Sequence, residues 1–250
     1  MSLLKENISF VVVCYKSSAA LKSLLISIPK ELEVVLVDNS NDKETSEIAN
    51  SYDCSLIQNQ ENIGYGAACN LGAEKASGTY LLFINPDSEL KPETLNELIK
   101  AADNYPNASA FNPKIIGRSG KQSFKRRSVL LQKSEWMSRK FPESDKEVSV
   151  LSGAAIFIKK ENFTKINGFD EKIFLYHEDD DISIRLKEIG PLMYIHNSII
   201  THIGGSSSSR DKTIAKIKGY HMGRSRVYAQ KKHGLKAVSY THLTLPTKQD

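Results

Sequence analysis

At 250 residues, 40% hydrophobic and 25% charged, the chain can bury one sizeable α/β core and is too apolar to be an intrinsically disordered protein. Its net charge of +5 is modest but clustered, in Lys121, Lys125, Arg126 and Arg127 and again from Lys212 to Lys236. With neither zinc-finger spacing nor an RNA-binding aromatic signature beside those clusters, no nucleic-acid partner is expected. Ile8 to Cys14 reads as an apolar strand. Ala19 to Ile28 is a helix with Leu21, Leu24, Leu25 and Ile28 on one stripe, stopped by Pro29. Val34-Val35-Leu36-Val37 runs as a second strand into Asp38, followed by a polar helix from Lys43 to Ser51 and a short strand from Ser55 to Gln58. A helix from Gly66 to Lys75 precedes the strand Leu81-Leu82-Phe83-Ile84, which ends in Asn85-Pro86-Asp87. Pro92 falls in the first turn of a helix reaching Asp103, where proline costs little. This alternation argues a parallel sheet covered by helices.

From Gly117 to Glu147 the chain turns polar, basic and weakly periodic, and a mobile excursion over the site is expected. Strands resume at Val148 to Leu151 and Ala154 to Ile158. A helix opens near Glu178, a strand lies within Met193 to Ile203, and a polar, basic helix covers Lys212 to His233. Ser239 to Asp250 has no apolar period, and a disordered tail, with non-native sequence replacing a truncated end, is expected. The start, Met1-Ser2-Leu3-Leu4-Lys5-Glu6, lacks the basic-then-apolar pattern of a signal peptide, and no apolar run is long enough to span a bilayer. Cys14, Cys54 and Cys69 have no paired spacing, so Cys14 and Cys69 are expected as buried thiols in a cytoplasmic protein, peripheral to a membrane at most.

Four motifs carry chemistry. Strands ending at Asp38 and at Asp87 deliver carboxylates to the edge where open α/β sheets bind ligands. Asn62-Ile63-Gly64-Tyr65-Gly66 joins a strand to a helix, where two glycines permit close backbone approach and a helix N-terminus favours phosphate; a plain structural turn is the alternative. Asn85-Pro86-Asp87 resembles a shortened Asp-x-Asp, able to hold a cation against a diphosphate, or equally an Asx turn. In Glu178-Asp179-Asp180-Asp181, helical phase with Ile182, Leu186 and Ile189 turns Asp179 inward, as suits a general base, and Asp180 and Asp181 outward; an acidic N-terminus that only complements the helix dipole is the rival. His202, after an apolar strand and before Gly204-Gly205, can reach a metal or serve a structural role.

These motifs, in this order from residue 7 to 235, resemble family 2 glycosyltransferases with the GT-A fold, and within them the bacterial rhamnosyltransferase-like branch. Further matching segments are Val11-Val12-Val13-Cys14-Tyr15, Val37-Asp38-Asn39-Ser40, Gly153-Ala154-Ala155 and Gly168-Phe169-Asp170-Glu171. The resemblance implies an α/β fold with a Rossmann-like, mostly parallel sheet and helices on both faces. It implies a single domain over residues 1–238, with a nucleotide-binding part at 7–116 and an acceptor and catalytic part at 148–235. Asp179 is then the base of an inverting displacement, with Glu178 and Arg185 supporting it. Asp87 and His202 bind Mn²⁺ or Mg²⁺, and Asp38 contacts the nucleobase. Tyr15, Asn62, Gly64, Asn85, Gly153 and Ala154 complete the donor site. The implied partners are a nucleotide-sugar donor, with dTDP-L-rhamnose favoured, and a saccharide or lipid-linked saccharide acceptor in surface polysaccharide synthesis. Lys16 stands where the family often has asparagine, and Asn85 replaces the commoner first aspartate. The alternatives are a noncatalytic nucleotide-sugar-binding paralogue and a sugar-phosphate nucleotidyltransferase. The latter would need an early glycine-rich loop, which Cys14-Tyr15-Lys16-Ser17-Ser18 is not.

Overall fold

The computed structural model describes residues 7–203 and 212–235. The glycines after His202, Lys236 and the expected tail lie outside the described residues. Strands β1 (Ile8–Cys14), β2 (Glu33–Asp38), β3 (Ser55–Gln58) and β4 (Tyr80–Ile84) make the parallel half of the sheet, in the order β3-β2-β1-β4. β1 is buried along its whole length, as an unbroken apolar strand must be when helices cover both faces. Successive β1 residues point to opposite sides: Phe10, Val12 and Cys14 pack with α1 (Ser18–Ser27), α2 (Lys43–Ser51) and α4 (Thr94–Asn104). Val11 and Val13 pack with α3 (Tyr65–Lys75), α5 (Lys160–Lys165) and α6 (Glu178–Lys187). Cys14 and Cys69 are buried free thiols, and burial pushes the Cys14 thiol up to about 12.

Beyond β4 the sheet becomes mixed. β9 (Ala155–Lys159) runs antiparallel to β4 and to β6 (Ala110–Gly117), and β10 (Leu192–His202) then pairs parallel with β6. β5 (Ser88–Leu90) closes the edge antiparallel to β10, while β7 (Gln122–Ser123) pairs β6 and β8 (Lys146–Val148) pairs β10. The expected parallel alternation therefore describes the first four strands, and the later ones fold back against them.

Two boundaries differ from expectation, and one helix, α5, was not expected. Pro92 precedes α4, whose first residue Thr94 accepts from Lys91 N through its hydroxyl at 2.8 Å. The strand expected to reach Leu151 stops pairing at Val148, because Leu151 N turns to the Ser183 hydroxyl at 2.9 Å. α5, six residues long, is too short to leave a periodic trace. The 117–147 excursion is irregular but packed: Leu130 and Leu131 are buried and the Trp136 indole donates to Ser128 O.

The basic helix is α7 (Lys212–Lys232). It docks on the domain through buried Ser225, Ala229 and Gln230, with Ala229 against Leu130 and Ile173. Among the described residues no helix is long and apolar enough to cross a membrane.

Candidate active site

A cavity of about 790 Å³ opens beyond the carboxyl ends of β1 and β4, the edge at which such sheets bind ligands. Tyr15, Asn62, Gly64, Asn85, Asp87, Gly153, Ala154, Glu178, Asp179 and His202 all line it. Residues from six separate stretches of sequence thus line one cavity.

The side of the cavity formed by Asn62 and Gly64 is built on backbone geometry. Gly64 has φ +94°, and a Cβ there would sit 2.7 Å from Phe174 O, so only glycine fits. The Asn62 side chain accepts from Gly64 N at 3.0 Å, Asn39 Nδ2 donates to Gly64 O at 3.0 Å, and Tyr65 N donates to Phe174 O at 3.0 Å. Asp38 does not line this cavity. Its carboxylate accepts from Ser40 N, the Ser40 hydroxyl and Asp42 N at 2.8, 2.6 and 2.6 Å, fixing the loop that presents its neighbour Asn39 to the wall.

At the cavity floor, β10 pairs with β5 so that His202 opposes Ser88, one residue past Asp87. His202 Nε2 comes within 3.1 Å of Asp87 Oδ1 and 3.2 Å of Asn85 Nδ2. An imidazole nitrogen and a carboxylate oxygen so close suit a Mn²⁺- or Mg²⁺-like ion. Among the described residues no three His, Cys, Asp or Glu side chains gather round one point, so a cation here would complete its shell from diphosphate oxygens and water.

The opposite wall is the start of α6. Tyr176 and His177 both hold positive φ, 66° and 69°. Such strain in non-glycine residues persists only where the surroundings enforce it, and it collects at functional sites. Asp179 Oδ2 accepts from Gly153 N at 2.9 Å and lies 2.6 Å from Lys125 Nζ, while Oδ1 accepts from Asp180 N at 2.9 Å. A Cβ at Gly153 would fall 3.2 Å from Asp179 Cβ, so a side chain there would press on this approach. Glu178 also lines the cavity. Burial and the adjacent Asp179 push its carboxyl up to about 8, and its Oε2 is buried without a partner.

Asp180 and Asp181 do not turn outward as the helical phase predicts. Asp180 is 5% exposed and Asp181 fully buried, because the excursion and α7 cover the face of α6 that an isolated helix would show to water. Asp180 pairs with His177 Nδ1 and Lys125, both at 2.8 Å. Burial works to raise its pKa, but these partners outweigh it and hold the carboxyl down to about 2. Asp181 takes Arg185, Lys232 and His233, each at 2.8 Å or less. Arg185 is not in the cavity wall. It clamps α6 to Ile166 O and Gly168 O at 2.7 and 2.6 Å.

Some of the wall carries no sequence signal. Phe174 and His221 line the cavity, the His221 ring stacked on Phe174 at 4.2 Å. Lys125 was visible only as one of a basic cluster.

A mixed sheet with helices on both faces, and acidic groups converging on a cavity at its strand ends, defines a GT-A transferase fold. The chain belongs to glycosyl transferase family 2, whose sequence model matches residues 9–166. It is 27% identical over 223 residues to the N-acetylglucosaminyl-diphospho-decaprenol L-rhamnosyltransferase of Mycobacterium tuberculosis, covering 76% of this chain and 73% of that one. It is 28% identical over 138 residues to the rhamnosyltransferase WbbL of Escherichia coli, covering 46% of this chain and 48% of that one. The fold matches S. aureus TarS 1-349 in complex with UDP-GlcNAc, with TM-score 0.67, 20% identity and coverage of 95% of this chain and 69% of that one. It also matches the Pyrobaculum calidifontis mannosyltransferase PcManGT in complex with GDP-Man and Mn²⁺, with TM-score 0.64, 16% identity and coverage of 90% and 64%. In another TarS crystal structure the match spans only 36% of that longer chain.

Proposed function

We propose that this protein is an inverting, metal-assisted hexosyltransferase that moves a sugar from a nucleotide diphosphate to an acceptor hydroxyl, with L-rhamnose from dTDP-rhamnose as the favoured donor. One observation carries the reading: a single cavity joins the Asn62–Gly64 turn, the Asp87–His202 pair and the Asp179 carboxylate. The rhamnosyltransferase relatives support the choice of sugar.

On this reading Asn39, Asn62 and Gly64 receive the nucleotide, and the backbone at Gly153 and Ala154 leaves room for the sugar. A divalent cation held by Asp87 and His202 would neutralise charge on the departing diphosphate. Asp179 takes the proton of the acceptor hydroxyl as its oxygen forms a bond to the anomeric carbon. The bond from that carbon to the diphosphate oxygen breaks on the opposite side, and the electron pair leaves with the nucleotide. Glu178, its carboxyl pushed up to about 8 by burial and the adjacent Asp179, adds little to the negative charge that Asp180 already places beside the base.

A saccharide or lipid-linked saccharide is the proposed acceptor. On α7, Ile217 lines the cavity, and Ile217 and Met222 are exposed on a helix that also exposes Lys216 and Arg224, which supports a peripheral approach to an anionic lipid surface. The test is a screen of nucleotide-sugars by thermal shift, followed by transfer assays. A ligand at a hundred times its dissociation constant stabilises by about 2.7 kcal/mol. Stabilisation by dTDP-rhamnose with manganese, above that given by dTDP alone, is the expected result, and a response to no nucleotide-sugar at all refutes the reading.

A further inference from the structure

Lys125 belongs to the packed excursion between β6 and β8, and nothing in the proposed chemistry above uses it. Its ammonium lies 2.6 Å from Asp179 Oδ2 and 2.8 Å from Asp180 Oδ1. Asp179 lines the cavity, whereas Lys125 is not part of its wall. The lysine therefore meets the carboxylate without standing among the residues that face a substrate. The groups facing Asp179 are Lys125 from the excursion, Tyr65 from α3, and Glu178 and Asp180 from α6 itself. Of these, Lys125 alone is cationic. Burial works to lower its pKa, but Asp179 and Asp180 outweigh that and raise it, so the ammonium stays charged. Asp180, backed by His177, is a fixed anion that retains the lysine whatever the state of Asp179.

We infer that Lys125 is a positioning residue for the base, its ammonium anchored on Asp180 so that the Asp179 carboxylate stays aimed into the cavity. The inference rests on the reading of Asp179 as the proton acceptor. It explains how adjacent acids on one helix turn coexist: a cation from a segment remote in sequence relieves the repulsion. It also gives the basic excursion a function within the active site.

The experiment compares Lys125→Met and Lys125→Arg with the unaltered enzyme. Calorimetry with dTDP and manganese first checks that each variant is folded. Lys125→Met should lower kcat by about tenfold or more with little change in donor KM. It should also move the acid limb of kcat/KM to higher pH by about one to three units, the usual effect of losing an opposite charge at this range. Lys125→Arg should restore most of the rate and return the acid limb. An unmoved acid limb, or an arginine variant as impaired as the methionine one, overturns the inference. Carbon-13 titration of aspartate carboxyls gives a readout independent of transfer. The signal absent from Asp179→Asn should change its chemical shift in Lys125→Met, and an unmoved signal overturns the inference even if no donor supports transfer. If that signal moves but no nucleotide-sugar is used, the functional reading fails and the electrostatic role of Lys125 stands. Should Lys125→Met not fold, Asp180→Asn, which removes the anchor of the lysine, should lower kcat in the same way, and an unchanged kcat overturns the inference.

Discussion

Asp179→Asn isolates the proposed base with little change in shape. The amide keeps an oxygen for Asp180 N, now 2.9 Å from Oδ1. At the Oδ2 position, however, the new NH₂ group would face two donors, Gly153 N at 2.9 Å and the Lys125 ammonium at 2.6 Å. The amide must therefore flip or shift as well as lose its basicity. General base catalysis is worth about 10² to 10⁴ in rate, or about 2.7 to 5.4 kcal/mol of barrier. Turnover should fall by at least about a hundredfold. Donor affinity should hold, since Asn62, Gly64, Asp87 and His202 are untouched. Acceptor-dependent release of nucleotide diphosphate gives the rate, and calorimetry with the donor gives the affinity. Turnover within about tenfold of the unaltered enzyme would refute the assignment, because a base cannot be worth so little. Glu178 would then be the candidate, since it alone of the neighbouring acids also lines the cavity. Asp180 and Asp181 are committed to ion pairs behind it.

Excess chelator should abolish transfer, and Asp87→Ala or His202→Ala should raise the manganese requirement by about ten- to a hundredfold; full activity in chelator would exclude the metal. Gly64→Ala should lower the melting temperature, at a cost of about 1–3 kcal/mol for a side chain at positive φ, and should weaken nucleotide binding; an unchanged melting curve would contradict the geometry. Glu178, with a folded pKa of about 8 against an ordinary 4.5, binds its proton more tightly when folded, so its contribution to stability declines as pH rises between those values. Glu178→Gln should flatten the fall in melting temperature over that window, and an identical slope in the variant would rule the cause out. Flotation with anionic vesicles should recover the protein at low salt and lose it as salt rises, because α7 supplies charge and little apolar area; equal recovery with neutral vesicles would leave α7 a structural helix.

Short-range pattern was enough wherever one face or both faces of an element decide its place. β1 and β4 are apolar runs with no polar alternation, and both are buried throughout. The glycine at 64 and the strand ends at Asp87 and His202 likewise announced a turn and a ligand edge, and the cavity gathers them. The same logic misjudged α6. Helical phase assigns each residue an inside or an outside, which assumes that water covers one side of the helix. Here the sheet takes Ile182 and Leu186, while α7 and the excursion bring Lys232, His233 and Lys125 to the other side. Asp181 is thus buried on what the phase names the solvent face, and it is sustained there by three cationic or imidazole partners. Two of these, Lys232 and His233, follow it by about fifty positions, so no local window contains the pairing. Asp38 lies outside the cavity lining. A carboxylate at a strand end is a fair candidate for a ligand contact, but three donors from Ser40 and Asp42 engage it locally, and its neighbour Asn39 reaches the wall. What decides such positions is the partner that arrives from a distant segment, and its charge is legible in the sequence only as composition until the fold supplies the address.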